Sequence, residues 1–423
     1  MKVYCSGIGG IGLSAYAAHM KMRGHTVMGS DKQATEITDD LSTIGIDVFY
    51  TQDGTTLPNG VDLFVYSEAI PVDAPERRIA AERGVRSISY FQAVGELSKD
   101  GKVVCIAGSH GKSSTTAMIA KVAIDANLNP NVVLGTKMPD MNNRNWRVSD
   151  SDLWIVEACE YRRSFLHLHP ASIVLTTLDI DHFDAYANQE DYDSAFIEFL
   201  HRLPTGEAVI GHGTDPAVLQ LVHQAGKELV DADRLDQPTL SIPGNHMREN
   251  ARLALAWAKK YGIDDAAALA SLGSFSGTWR RMQIVGTVAN DVTVIDDYAH
   301  HPLEIASTLQ AIKEQFPGRR LVCVFQPHMH NRTLILWDQF ARAFHDANVV
   351  MISDIYDARP DADAEKADAA SLAESIRTES KTSARATGSL SETEKAVRAE
   401  LRKGDVVVVM GAGSITKIAK ALT

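Results

Sequence analysis

Apolar residues along this chain gather in short runs that end at glycine, and each run is followed by a stretch whose apolar positions recur at helical spacing. Three such units stand out. The first is Met1–Cys5, the turn Gly7-Ile-Gly-Gly-Ile-Gly12 and a helical run to Arg23. The second is Lys102–Ala107, the turn Gly108–Gly111 and a helix from Lys112 to about Asn127. The third is Asp405–Met410, the turn Gly411-Ala-Gly413 and Ile415–Leu422. Strand, tight turn and helix form the repeating unit of parallel α/β sheets, so an α/β protein is predicted. Further apolar runs at Leu153–Val156, Ile173–Thr177, Val292–Ile295 and Leu321–Phe325 alternate with helical segments and extend the class. At 423 residues the chain exceeds one compact core. Breaks are expected near the polar Ser98-Lys-Asp-Gly101 and at the Ser- and Gly-rich stretch Gly273–Gly277. Asp361–Ser391, rich in Ala, Asp, Glu and Ser with patches of helical character, reads as solvated surface.

Charge and cysteine usage narrow the class. A formal net charge of −12 argues against nucleic acid or an anionic membrane surface as partner, since a bulk negative field repels both. No apolar run approaches the length of a membrane span, and MKVYCSGIGG leads directly into a strand rather than a secretory leader. Cys5, Cys105, Cys159 and Cys323 lack metal-site or redox-pair spacing and read as reduced core thiols, which predicts a cytoplasmic protein.

The candidate chemistry centres on Gly108-Ser109-His110-Gly111-Lys112-Ser113-Ser114. A glycine turn between strand and helix aims backbone N–H groups and the positive helix end at an anion. Lys112 reaches terminal phosphates, and a hydroxyl at Ser113 or Ser114 suits Mg²⁺. The plain alternative is a tight turn carrying an exposed lysine. Glu157 directly follows an apolar strand, and Asp181-His182 closes another, where α/β sheets carry their sites. Ser113, Glu157 and His182 are the metal candidates, although imidazole is an uncommon partner for so hard a cation. A hydrogen-bonded structural histidine is the alternative at His182. The turn Gly7–Gly12, with Asp31 farther on, also fits a dinucleotide fingerprint and leaves an NAD-dependent dehydrogenase open.

Taken together the motifs resemble the Mur ligase family over essentially the whole chain. They comprise Gly7–Gly12 with Gly29-Ser-Asp31, Tyr66-Ser67-Glu-Ala-Ile-Pro71, the Gly108–Ser114 loop, Glu157 and Asp181-His182. They continue through Gly277-Thr-Trp-Arg280-Arg281, Asp296-Asp297-Tyr298-Ala-His300-His301-Pro302, Phe325-Gln-Pro-His328 with Arg332, and Met410-Gly-Ala-Gly413. The strings from Asp296 and from Phe325 are similar to the alanine-adding branch. The resemblance implies a Rossmann-like UDP-binding domain at 1–100, a central P-loop ATPase-type parallel sheet at 101–279 and a Rossmann-like domain at 280–423. It implies ligation of L-alanine to UDP-N-acetylmuramate through an acyl phosphate, with ATP as co-substrate and Mg²⁺, in peptidoglycan precursor synthesis. Gly9, Gly10, Ile11, Gly12, Asp31 and Ser67 would hold the UDP-sugar. Gly108, Ser109, His110, Gly111, Lys112, Ser113, Ser114, Asn250, Arg281 and Asp297 would hold ATP. Tyr298, His300, His328 and Arg332 would take the amino acid, and Lys112, His182, Arg281 and Asp297 would carry the chemistry. A monomer or weak homodimer is expected.

Departures from the family pattern are visible. Ile197 stands near the position of a carbamoylated lysine used by many members, and no lysine occurs between Lys137 and Lys227. Met247 interrupts the HNxxN pattern before Asn250, Met329 replaces a usual arginine, and Val209–Gly244 is short. A recycling ligase that adds a tripeptide to the same sugar, and a nonenzymatic ATP-binding regulator, stand as further alternatives.

Overall fold

Val3 and Cys5 face one apolar core while Tyr4 faces another across the same strand, so the first run is buried on both faces. That is the position of a central strand in a parallel sheet, and it is why the run is continuous rather than alternating. The computed structural model describes residues 1–179, 185–357 and 367–423. Contacts divide the chain into two compact units, Met1–Thr239 with Glu249–Phe275, and Leu240–Arg248 with Ser276–Thr423.

The first unit holds two sheets. One comprises β1 (Lys2–Ser6), β2 (Thr26–Ser30), β3 (Asp47–Phe49), β4 (Leu63–Tyr66) and β5 (Arg86–Ser89), parallel in the order β3-β2-β1-β4-β5. The other comprises β6 (Lys102–Ala107), β7 (Asn131–Met138), β8 (Arg144–Arg147), β9 (Leu153–Glu157), β10 (Pro170–Leu175), β11 (Val209–Gly211) and β12 (Leu229–Asp231). Its order is β12-β11-β10-β6-β9-β7-β8, with the β7–β8 pair antiparallel. The helix Ile11–Met22 is apolar nearly all round because it is wedged between the two sheets, packing on β2, β7 and β8. Near its end His19 is fully buried, stacks on Trp154 at 4.9 Å and reaches the Val132 carbonyl at 3.0 Å. Burial pulls its pKa down to about 3, so it is a neutral core group. Lys137, at the end of β7, pairs with Glu36 at 3.0 Å and Asp40 at 2.6 Å on the helix Glu36–Thr43.

The second unit is built on β13 (Gln283–Val288), β14 (Val292–Asp297), β15 (Leu321–Phe325), β16 (Val349–Ser353), β17 (Ser383–Gly388) and β18 (Val406–Met410). The order is β13-β14-β18-β15-β16-β17, with β13 antiparallel to β14 and the other pairs parallel. The three sheets bear out the α/β class.

The expectation of solvated surface over Asp361–Ser391 is corrected here. Residues 361–366 lie outside the described ones. Beyond them the helix Ala369–Glu379 buries Leu372, Ala373 and Ile376, and Ser383–Gly388 is the edge strand β17. Only Ala384 of that strand is fully enclosed, so its sequence lacks the apolar signature of inner strands. The four cysteines are free, three of them buried.

Candidate active site

The first two glycine turns lie at the carboxyl ends of strands where the sheet order reverses. Neighbouring connections leave there in opposite directions and open a crevice. On the first sheet this is β1, flanked by β2 and β4. Gly7 has φ +80 and its missing Cβ would come within 3.0 Å of Ser67. The N–H groups of Gly7 and Ile8 donate to the Ser30 carbonyl at 2.8 and 3.0 Å, while that of Gly9 donates to Asp31 at 2.8 Å. Gly12 lies under the Tyr90 ring, which leaves no room for a side chain. Gly9, Gly10, Ile11, Gly12, Asp31 and Ser67, scattered in sequence, are thus gathered around one turn.

On the second sheet β6 occupies the corresponding place between β9 and β10. Gly111 has φ +82, and a Cβ there would strike Asn250 Oδ1 at 2.4 Å, so Asn250 and the loop are in direct contact. Lys112 opens the helix Lys112–Asp125 and is only 14% exposed. Its ammonium donates to the carbonyls of Gly108 and Ser109 and pairs with the fully buried Glu160 at 2.9 Å. Burial is the largest influence and would depress its pKa. The charge and hydrogen bond of Glu160, together with the charges of Cys159 and Glu157, outweigh it, and the net shift is upward. The lysine is therefore a buried cation folded back over its own loop, not the exposed side chain of the plain alternative. Ser109 is seated by Thr177, to whose carbonyl its N–H donates at 2.7 Å, and by the Tyr192 hydroxyl at 2.7 Å. The N–H of His110 donates to Thr177 Oγ1 at 3.2 Å. Ser114, the third residue of the helix, is buried.

Beside the loop, Ser113 Oγ donates to Glu157 Oε1 at 2.8 Å, and Glu157 Oε2 accepts the Gly135 N–H at 2.7 Å. A hydroxyl and a carboxylate side by side are hard oxygen donors, and they fit Mg²⁺ or a similar cation. His182, the third metal candidate and a predicted catalytic residue, lies outside the described residues.

The second unit gathers its own set. Asp297, at the end of β14, is buried and accepts the N–H groups of Met282 at 2.6 Å and Ala299 at 2.7 Å. Burial raises its pKa to about 6, against the pull of Arg281. Arg281 stands 5.2 Å from the centre of the Tyr298 ring and 3.7 Å from Glu304. His300 lies edge-on to Tyr298 at 5.3 Å and 5.9 Å from His328, whose Nδ1 is 3.4 Å from Arg332. Met329, between the two, has φ +69, a conformation rare outside glycine, and its N–H is tied to the Tyr356 carbonyl at 2.8 Å. Strain of this kind persists only where surrounding contacts impose it. His246, four residues before Asn250, is pushed down to about 4, chiefly by burial and then by Arg281.

Three residues escaped the sequence reading. Glu160 was visible only as the second acid of Glu157-Ala-Cys-Glu160, and its pairing with Lys112 needs the fold. Glu304 contacts Arg281 and His300 and completes a capping box with His301, a pattern legible as His301-Pro-Leu-Glu304. Tyr192 carried no signal at all.

A glycine loop closed by a buried lysine, with a hydroxyl–carboxylate pair beside it, has the chemistry to hold an anion at the carboxyl end of a largely parallel sheet. Family models agree with that reading. Residues 2–102 match the Mur ligase family catalytic domain, 106–238 the Mur ligase middle domain, and 280–413 the Mur ligase glutamate ligase domain. The UDP-N-acetylmuramate–L-alanine ligase of Clostridium perfringens is 34% identical over 99% of this chain and 96% of its own length. The crystal structure of the UDP-N-acetylmuramate–alanine ligase of Thermotoga maritima superposes with a TM-score of 0.84 at 28% identity, covering 100% of this chain and 98% of that one. A murein peptide ligase from Psychrobacter arcticus shares the fold, with a TM-score of 0.76 at 22% identity and coverage of 100% and 98%. The chain belongs to the Mur ligase family.

Proposed function

We propose that the chain joins L-alanine to UDP-N-acetylmuramate at the expense of ATP. The observation that carries this reading is the buried Lys112 ammonium over the Gly108–Gly111 turn, paired with Glu160 and flanked by Ser113 and Glu157. The named activity of the relatives supplies the substrates.

A carboxylate is a poor acyl donor, and phosphorylation by ATP converts it into an acyl phosphate. Lys112 is assigned to the phosphoryl group in transfer, where its charge lowers the barrier. The loop N–H groups and the helix N-terminus orient the phosphates. Asn250 is assigned to the nucleotide beside Gly111, and Arg281 and Asp297 to the same ligand. Ser113 and Glu157, with His182, would hold Mg²⁺, which when bound supplies positive charge to the phosphates. Gly9, Gly10, Ile11, Gly12, Asp31 and Ser67 are assigned to the UDP-sugar. Tyr298, His300, His328 and Arg332 are assigned to the amino acid, with Arg332 on its carboxylate. The neutral amine attacks the acyl carbon, the tetrahedral intermediate expels phosphate, and the amine proton leaves. We place the activity in the cytoplasm, as the step that starts a peptidoglycan precursor peptide. Among the described residues no helix is long and apolar enough to cross a membrane.

Phosphate release from ATP with Mg²⁺ and UDP-N-acetylmuramate, testing each amino acid and the tripeptide in turn, decides the reading. Release dependent on both the UDP-sugar and L-alanine is expected. Release with the tripeptide alone places the chain in the recycling branch instead, and the absence of release with every acceptor leaves the family fold standing but removes the ligase reading.

A further inference from the structure

Beneath the glycine turn of the first sheet lies a carboxylate that the chemistry above does not use. Glu76, in the first turn of the helix Pro75–Glu82, is 1% exposed. It accepts the Tyr4 and Ser30 hydroxyls, each at 2.8 Å, and the Ser6 hydroxyl still more closely. Among the described residues no lysine, arginine or histidine pairs with it. A carboxylate buried without a cation is costly, and hydroxyl donors must stand in for the water it gave up. Burial is the main cause holding the Tyr4 phenol above its ordinary pKa, so Tyr4 stays a donor.

Each serine makes a second contact through its carbonyl. Ser30 O accepts the N–H groups of Gly7 and Ile8, and Ser6 O accepts that of Ser67 at 3.0 Å. Ser6 ends β1 and Ser30 ends β2. The same two residues thus grip Glu76 by hydroxyl and the turn with Ser67 by backbone. A carboxylate only accepts, so all three hydroxyls can point their protons inward, whereas a carboxamide donates from nitrogen and forces one of them to turn away.

From this arrangement we infer that Glu76 is a positioning residue for the UDP-sugar, locking the ends of β1 and β2 so that the Gly7–Gly12 turn, the helix N-terminus that follows it and Ser67 hold the geometry a diphosphate requires. The inference rests on the functional reading given above.

Calorimetric titration of wild type and Glu76→Gln with UDP-N-acetylmuramate and, separately, with ATP tests it, alongside KM for each substrate. Glu76→Gln is expected to weaken UDP-N-acetylmuramate about tenfold while ATP affinity stays within about twofold. A uniform loss of both ligands, or unchanged UDP-N-acetylmuramate affinity, overturns the role. If Glu76→Gln does not fold, Ser30→Ala, which leaves the carboxylate two donors, decides by the same selective readout. Wild-type protein that binds ATP but no UDP-N-acetylmuramate overturns the functional reading and this inference with it.

Discussion

The turns Gly7–Gly12 and Gly108–Gly111 make the same strand-to-helix step, each at the reversal point of a parallel sheet, yet their charges are balanced in opposite ways. Around Gly108–Gly111 a buried lysine faces Glu160, with Glu157 held close by Ser113 and Gly135. Among the described residues, no lysine side chain is in contact with Gly7–Gly12. Asp31 holds the Gly9 N–H, and Glu76 sits below among hydroxyls. A loop with a fixed cation suits a group whose charge grows during reaction, because the countercharge is already in place. A helix N-terminus without a fixed cation, as at Ile11–Met22, suits a diphosphate that is bound and left unchanged. Local backbone grammar therefore sets where an anion sits, and the side chains packed around it set what happens to that anion.

The sharpest way to break the comparison is Lys112→Ala. Loss of ligation on the order of 10²–10³-fold is expected, with UDP-N-acetylmuramate affinity retained. A matching fall in UDP-N-acetylmuramate affinity would show that the two turns do not act separately. Next in size are the paired glycine substitutions, since both positions have positive φ and close neighbours. Gly111→Ala should weaken ATP about 10- to 100-fold and spare the UDP-sugar, and Gly7→Ala should do the reverse. Titrations showing both ligands weakened by either change would sink the assignment of one ligand per turn.

A smaller effect concerns Asp297. Its pKa rises from 3.8 to about 6 on folding, so between these values the native state holds more protons than the unfolded one. Stability should therefore fall by about 3 kcal/mol as pH climbs through that window and level off above it. Urea unfolding of wild type and Asp297→Asn at the two ends of the window checks this, because the variant lacks the slope. Equal slopes would refute the buried-carboxylate picture. The smallest expected effect is none: added bicarbonate should leave ligation unchanged, because no lysine lies between Lys137 and Lys227 to carry a carbamate. Clear activation by bicarbonate would mean that an acquired carbamate serves the metal from elsewhere.

Much of this was written in the chain itself. Buried parallel strands are continuous apolar runs and tight turns need glycine, so the α/β class and the three glycine turns follow from local chemistry alone. Gly108–Ser114, Glu157 and the Asp296–Pro302 string announced themselves because their partners are near in sequence or their motifs are dense. Ser383–Gly388 did not, because an edge strand in contact with little core needs few apolar residues. The long-range pairings were equally silent. Glu160 on Lys112, Glu76 among Tyr4, Ser6 and Ser30, and His19 against Trp154 and Val132 join residues 46 to 135 positions apart. A lone acid or histidine carries the same letter whether solvated or enclosed. Which of them lost water, and which donors replaced it, is settled only when the strands and helices pack.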